Sequence, residues 1–344
     1  MTRRILSSIL LTLLFSPAFN QTGGDNVYEF LNLTCSGLVS SLGGSNVSLP
    51  DDNLNMTFHN PSLLSPAMEN NVALNYVNYF AGINYGMVLW STASGSKGNL
   101  ATGLTYLSYG SFTGSDASGN ITGNFSASEY SFSLIWSFPI DSAFSAGINL
   151  KPVFSHLEKY SSLGIAADLG LSYRSRDGLL SAGLVIRNTG YQITTYAGER
   201  RKEPPFEIMA GGSARLAHAP LRFSLTLTHL EKFDMTWDYS SDPSFTPAEG
   251  NTQGFVENLV RHVIVGTELF PHKNLSLSGG YNFQRRRELL TEARTGGAGL
   301  SWGFGFNTSA LRIEFGRASY HLAGSSNHFS IVVNPAYLLR KDRN

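Results

Sequence analysis

The sequence predicts an all-β fold: a fourteen-stranded antiparallel barrel that crosses a membrane with its strands and carries an N-terminal hatch in its lumen. Three observations predict it: an apolar leader, a period-2 alternation that recurs in segment after segment, and a composition too poor in charge for an ordinary soluble domain. The 344 residues hold 25 basic and 25 acidic side chains, only 15% charged in all, beside 35 glycines and 12% aromatics. Soluble domains average about 25% charged, so much of this surface must face something other than water. A net charge of zero argues against a nucleic-acid partner.

Residues 1–20 set the address. Arg3 and Arg4 form a positive start, Ile5 to Phe15 an apolar core, and Pro17 and Ala18 a break before Gln21, which together read as a secretory signal peptide removed on export. The core is well short of the ~20 residues that span a bilayer. Cys35 is the single cysteine; it lies too far beyond that core for lipid attachment and reads as an incidental thiol. After the leader no long apolar run occurs, which excludes spanning helices but not spanning strands, because strands hide their apolar residues at every second position.

The alternation carries the fold. Ile165, Ala167, Leu169, Leu171 and Tyr173 share one face, with Asp168, Gly170 and Ser172 on the other. Leu221 to Thr228, Leu300 to Asn307 and Tyr130 to Phe138 repeat the pattern, the signature of half-buried strands. Strand centres fall near residues 75, 87, 105, 134, 148, 169, 184, 211, 225, 267, 279, 302, 314 and 331. Short turn-rich connections (139–142, 175–178, 217–220, 271–274, 307–310) alternate with long polar ones (110–128, 189–204, 231–260, 285–296, 319–327). An outer-membrane barrel sorts loop lengths this way, with short periplasmic turns and long surface loops, whereas a soluble sandwich has no reason to. The pair 80–84 and 93–99 fits the rule less well. Aromatics near strand ends (Tyr76, Tyr106, Trp136, Phe138, Tyr173, Trp302) suit interfacial girdles. Lys151, Asp168, Arg174, Arg187, Glu207, Arg215, Arg222, Glu268, Arg312 and Glu314 all fall opposite the apolar face, where they predict an ion-paired lumen; facing mid-plane lipid, each Arg would cost ~2–4 kcal/mol.

Three parts follow: the signal peptide over 1–20, a hatch over 21–66, and the barrel over 67–344. The hatch does not alternate and is dense in turn signals: Gly43-Gly44, Pro50-Asp51-Asp52 and Asn60-Pro61. A lumen fourteen strands wide needs filling, and this segment is the candidate, with a periplasmic extension as the other reading.

Several runs are familiar as well. Gly24-Asp25-Asn26-Val27-Tyr28-Glu29-Phe30-Leu31-Asn32-Leu33, then Leu42-Gly43-Gly44, Asn46 to Asp52, Asn60-Pro61, Asn75 to Tyr79, Ala81 to Gly86 and Glu203-Pro204-Pro205-Phe206 resemble the PorQ family. These are outer-membrane proteins of the type IX secretion system, related to PorV and to FadL-like barrels. The resemblance runs from about Gly23 to Val333. It implies a non-enzymatic scaffold that holds a PorZ-like surface protein near the sortase PorU and the shuttle barrel PorV. A FadL-like transporter of a hydrophobic compound and a PorV-like cargo shuttle are the alternatives. The chain departs from the pattern at its end, Leu339-Arg340-Lys341-Asp342-Arg343-Asn344, where a terminal aromatic is expected.

No catalytic, cofactor or metal set is expected. The eight histidines are scattered without ligand spacing, and no nucleophile elbow or phosphate-binding loop occurs. Two surface candidates remain. The loop 231–260 carries Phe233, Trp237, Tyr239 and Phe245 beside Asp238, aromatic anchors of the kind interfaces use, or else a cap folded over the barrel mouth. Arg285-Arg286-Arg287 offers guanidinium groups to lipopolysaccharide phosphates.

Overall fold

The computed structural model describes residues 26–79, 82–95, 98–233, 235, 255–289, 297–321 and 324–336. Fourteen strands close into one antiparallel barrel in which each strand pairs with its sequence neighbours and β1 pairs with β14. In chain order they are β1 (Val72–Asn78), β2 (Asn84–Gly95), β3 (Gly98–Ser115), β4 (Ile121–Pro139), β5 (Phe144–Leu157), β6 (Tyr160–Arg174), β7 (Leu180–Thr194), β8 (Glu207–Arg215), β9 (Leu221–Leu227), β10 (Val263–His272), β11 (Leu275–Asn282), β12 (Leu300–Asn307), β13 (Leu311–His321) and β14 (Gly324–Val333). Every predicted centre falls within its strand.

Which way each strand faces follows from the alternation. Leu169, Leu171, Phe223, Leu225, Trp302 and Phe304 lie outward and exposed, while Asp168, Arg222, Ser224, Thr226 and Ser301 are buried. An outward belt of leucine and aromatic residues all round the barrel belongs in lipid, because only a closed sheet satisfies every backbone group there. Rings run along the belt from strand to strand: Tyr106 to Tyr130 at 4.9 Å, Tyr130 to Phe154 at 6.2 Å, Phe304 to Phe315 at 5.4 Å and Phe315 to Phe329 at 5.2 Å. Cross-strand aromatic pairs of this kind pin the register.

The predicted loops are shorter than expected. Residues 110–128 are not a loop: β3 and β4 continue as a paired ribbon to a turn at 116–120. That ribbon is rich in serine, glycine and threonine, with Phe112, Ile121 and Phe125 too sparse to give an apolar period that marks a strand. β7 likewise runs on to Thr194, β13 reaches His321 and β14 begins at Gly324. The segment 93–99 is no loop either, since β2 reaches Gly95 and β3 starts at Gly98. The turn after β5 is tight as well, at Glu158 and Lys159. Long connections therefore remain only after β7, β9 and β11, all at one end of the barrel.

Residues 26–68 lie within the barrel. They carry helix α1 (Gly37–Ser41), capped by the Ser36 side chain accepting from Val39 N at 3.3 Å, and helix α2 (Met56–His59). α1 lies against β11 to β14, and the turn Pro61–Leu63 lies against β4 to β6, so the segment crosses the lumen from wall to wall. Two further helices occupy the long-connection end, α3 (Phe255–Arg261) and α4 (Phe283–Glu288).

Candidate functional site

Among the described residues the lumen concentrates the buried polar chemistry, and its two sides differ in charge. On the β5 to β13 side the wall is ionic. Lys151 Nζ lies 2.6 Å from Asp168 Oδ1, with side chains 0% and 1% exposed, and donates to Asn188 Oδ1 at 2.5 Å. Asn188 in turn donates its backbone N–H to Asp168 at 2.8 Å and its side-chain amide to Asn32 of the N-terminal segment at 2.7 Å. Arg187 faces Glu207 at 3.8 Å and donates to the Leu31 carbonyl at 2.9 Å. Lys151, Asp168 and Arg187 thus each have a counter-charge and a hydrogen bond, without which burial would cost several kcal/mol per ion.

Nearer the short-turn end, Arg222 binds two carboxylates. Its Nε donates to Glu268 Oε2 at 2.7 Å, and its two terminal nitrogens meet the two Asp51 carboxylate oxygens. Arg312 donates to the Asp51 carbonyl at 3.0 Å and faces Glu314 at 3.6 Å, and Glu314 accepts from Asn53 at 2.7 Å. Burial alone would raise the Asp51 pKa, but Arg222, Arg312 and Arg215 reverse the shift and hold it down at about 2. Of the ten charges placed opposite the apolar face, Arg174 and Arg215 end at the exposed rim rather than deep inside.

On the β1 to β5 side the inward face is mixed: an apolar cluster sits among buried Asn75, Thr105, Glu129, Ser131 and Ser133. Tyr85, Met87, Leu89, Leu107, Ile135 and Val153 are buried against Phe30, Leu31, Leu54 and Phe58 of the segment. Cys35 belongs to the same core and is wholly buried, which pushes its thiol pKa up. His59, on α2, contacts Thr34 Oγ1 at 3.1 Å. Burial, then the positive charges of Arg187 and Lys151, holds its pKa down at about 3, so it stays neutral at ordinary pH.

Glycines on the inner wall admit the segment's backbone. A Cβ at Gly183 would overlap the Val47 carbonyl oxygen, one at Gly316 the Gly37 carbonyl oxygen, and one at Gly280 the Leu42 backbone. Backbone approaches backbone at these points as no other residue type allows.

The turn residues singled out in the sequence take these positions. Gly43 and Gly44 turn the chain after α1 with φ of 102° and 97°, a conformation that favours glycine. Asn60 Nδ2 donates to the Val47 carbonyl at 2.8 Å, and its Oδ1 accepts from Ser62 N at 3.1 Å, fixing the corner at Pro61. Pro50 and Asp52 line a cleft of about 420 Å³ at the short-turn end, with Leu63, Pro66, Phe138 and Arg174 among its walls. Asp52 accepts from Ser65 Oγ at 2.6 Å.

The surface candidates fare differently. Phe233 is 51% exposed and stacks on Phe255 of α3 at 5.3 Å; Trp237, Asp238, Tyr239 and Phe245 lie outside the described residues, as do the signal peptide and residues 337–344. The three arginines, read as contacts for lipopolysaccharide phosphates, lie on α4. α4 winds them to different sides: Arg285 turns inward and donates to the Gly43 carbonyl at 3.0 Å, and Arg287 faces Glu257 of α3 at 3.4 Å. A helical turn capped by Asn282, whose Oδ1 accepts from Arg285 N at 3.0 Å, separates side chains that a loop would have left together. Among the described residues no group of His, Cys, Asp or Glu is placed to hold a metal ion.

The apolar cluster of the lumen was not visible in the sequence. Met87, Leu89 and Leu107 alternate with residues that are also apolar, such as Val88, Trp90 and Tyr106, so period-2 contrast vanishes there.

No family model matches the chain, and no curated protein matches it. Solved structures do. The Ralstonia pickettii toluene transporter TbuX superimposes with a TM-score of 0.52 at 11% identity, over 88% of this chain and 98% of that one. The Pseudomonas putida toluene transporter TodX gives 0.52 at 12% identity, over 91% and 98%. A Pseudomonas aeruginosa FadL homologue aligns more loosely, at 0.46 and 12% identity over 87% and 97%. At such identities the likeness is one of fold: the chain shares the barrel architecture of the two toluene transporters.

Proposed function

We propose that this barrel passes a small hydrophobic compound across the outer membrane and performs no catalysis. The observation that carries the reading is the apolar cluster that the β1 to β5 side turns into the lumen. Tyr85, Met87, Leu89 and Leu107 point inward, although a barrel that only spans the membrane needs its apolar residues outside. An interior wall of this kind suits an apolar cargo once the segment shifts, and the ionic half keeps the segment's other flank anchored. The likeness in fold to two toluene transporters supports the reading. Liposomes containing the protein are expected to take up toluene faster than empty ones, and Leu89→Asp is expected to abolish the difference while the barrel still assembles. Equal uptake with and without the protein would refute the proposal.

A second reading is a non-enzymatic scaffold of the type IX secretion machinery, holding a PorZ-like surface protein near PorU and PorV beside lipopolysaccharide. It is favoured by the depth of the segment's docking, backbone against inner-wall glycine, which suits a permanent filling better than a gate. Copurification separates the two. A scaffold stays with its surface partner through detergent extraction, whereas a transporter isolates alone.

A further inference from the structure

β3 and β4 do not stop where the barrel wall does. β2 begins at Asn84, opposite Ser108, and β5 ends at Leu157, opposite Ala127, yet β3 continues to Ser115 and β4 starts at Ile121. Ser111 with Ser126, Phe112 with Phe125, Thr113 with Asn124 and Gly114 with Gly123 pair only with each other. A two-stranded ribbon therefore rises from the long-connection end, with no strand beside it among the described residues. The register shift between Ser108 and Ser111 marks a bulge, which bends a ribbon away from its sheet.

The flanks of such a ribbon present unpaired N–H and C=O groups, and proteins usually guard them with lysine, proline or other charges. This one is unguarded. Asp116 is the only charge between Ser108 and Ser128, and the stretch contains no proline. Asp116 is itself occupied in the tip turn, accepting from Ser118 N and Asn120 N at 2.9 Å each. The β4 flank is partly used, since the Ser126 carbonyl accepts from Glu158 N at 3.1 Å and Gly123 has a φ of 130°. Among the described residues the β3 flank from Ser111 to Ser115 is the open one. Its two faces differ in chemistry. Phe112 stacks on Phe125 at 5.3 Å with an interplanar angle of 22°, whereas Ser111, Thr113 and Ser115 offer hydroxyls on the other side. Ile121, at 75% exposure, adds apolar surface near the tip.

We propose that the Ser111–Ser115 edge receives an extended backbone segment of a partner protein: an uncharged strand that alternates apolar with hydroxyl or amide side chains. An open strand edge is matched, donor for acceptor along its length, by another strand. The alternation of Phe112 with Ser111 and Thr113 sets the side-chain pattern of that strand, and the lack of charge leaves no grip for an anionic surface. The inference is independent of whether the lumen conducts.

The test uses the full-length protein in detergent micelles and, as probe, a short fluorescent peptide alternating threonine with valine or phenylalanine. Saturable binding is expected by anisotropy. N-methylating every second backbone nitrogen is expected to weaken it roughly tenfold in one parity, through lost hydrogen bonds of about 1 kcal/mol each, and to leave it little changed in the other. A variant in which residues 111–126 are replaced by an Asn-Gly turn should lose binding while keeping the heat-modifiable migration of a folded barrel. Absence of saturable binding, equal loss in both parities, or undiminished binding to the ribbonless variant would overturn the proposal. So would self-association that crosslinks through Thr113→Cys, which would place a second copy of this chain on the edge.

Discussion

Asp51 and Arg222 meet end to end, both carboxylate oxygens against both terminal guanidinium nitrogens, and this contact ties the N-terminal segment to β9. Arg222 holds Glu268 from its other edge at 2.7 Å. The three groups are unequal in what their loss leaves behind. Arg222→Met strands two carboxylates and is expected to cost ~3–5 kcal/mol, whereas Asp51→Asn leaves Arg222 paired with Glu268 and should cost ~1–2 kcal/mol. Denaturant midpoints of the detergent-folded protein decide the matter, and equal losses would contradict the geometry.

Acid should loosen the segment in two stages. Released His59 binds a proton below its ordinary pKa of 6.5, but docked His59 does so only near about 3, so docking weakens as pH falls from 6.5 towards 3. Asp51 is depressed to about 2 from 3.8; its contribution is full above 3.8 and is lost as pH falls from there through about 2. Protease cleavage of the segment, followed across this range, is expected to rise monotonically on acidification. His59→Gln should flatten the upper stage alone.

The glycine-lined inner wall predicts a sharp positional contrast. Gly183→Ala and Gly316→Ala drive a methyl group into backbone and are expected to destabilise by ~1–3 kcal/mol. Gly212→Ala, beside Gly211 on the opposite face of β8, meets only the Ser181 carbonyl oxygen at 3.7 Å and should change stability by less than ~0.5 kcal/mol. Thermal unfolding followed by gel mobility distinguishes the two classes.

Lys151 and Asp168 are buried together at 2.6 Å. Lys151→Met should cost ~3–5 kcal/mol because Asp168 is left unpaired, and the double variant with Asp168→Leu should recover most of that loss. A double variant no better than the single one would mean that the pair does not act as a unit.

On the lipid side, Leu169 is 50% exposed near the middle of β6. Leu169→Arg is expected to cost ~2–4 kcal/mol and to lower the yield of folded barrel in bilayers. Arginine is tolerated one face away, as Arg187 and Arg222 demonstrate.

How far the sequence could be read depended on contrast between faces. Strands with lipid outside and ions inside, such as the one bearing Leu169 and Asp168, announced themselves. Where the faces lack contrast the pattern failed: serine, glycine and threonine through most of the 111–126 ribbon, apolar on both sides around Met87 and Val88. The turn residues Gly43, Gly44, Asn60 and Pro61 stood out as turns, but their partners did not. Nothing local marks Arg187 as the donor to the Leu31 carbonyl, 156 residues away. The directions of the arginine triplet were hidden for a related reason, because spacing along a loop says nothing of where side chains point once the loop turns out to be helical.

The pairing of Val72 with Val333 has a consequence for biogenesis. The first strand to leave the export channel must wait for the last, so the cylinder cannot be completed while the chain is still emerging, and its slowest step brings distant ends together. Residues 26–68 directly precede the waiting strand and finish up enclosed. Once the seam has zipped they have no sideways exit, since every strand of the wall is hydrogen-bonded to two neighbours.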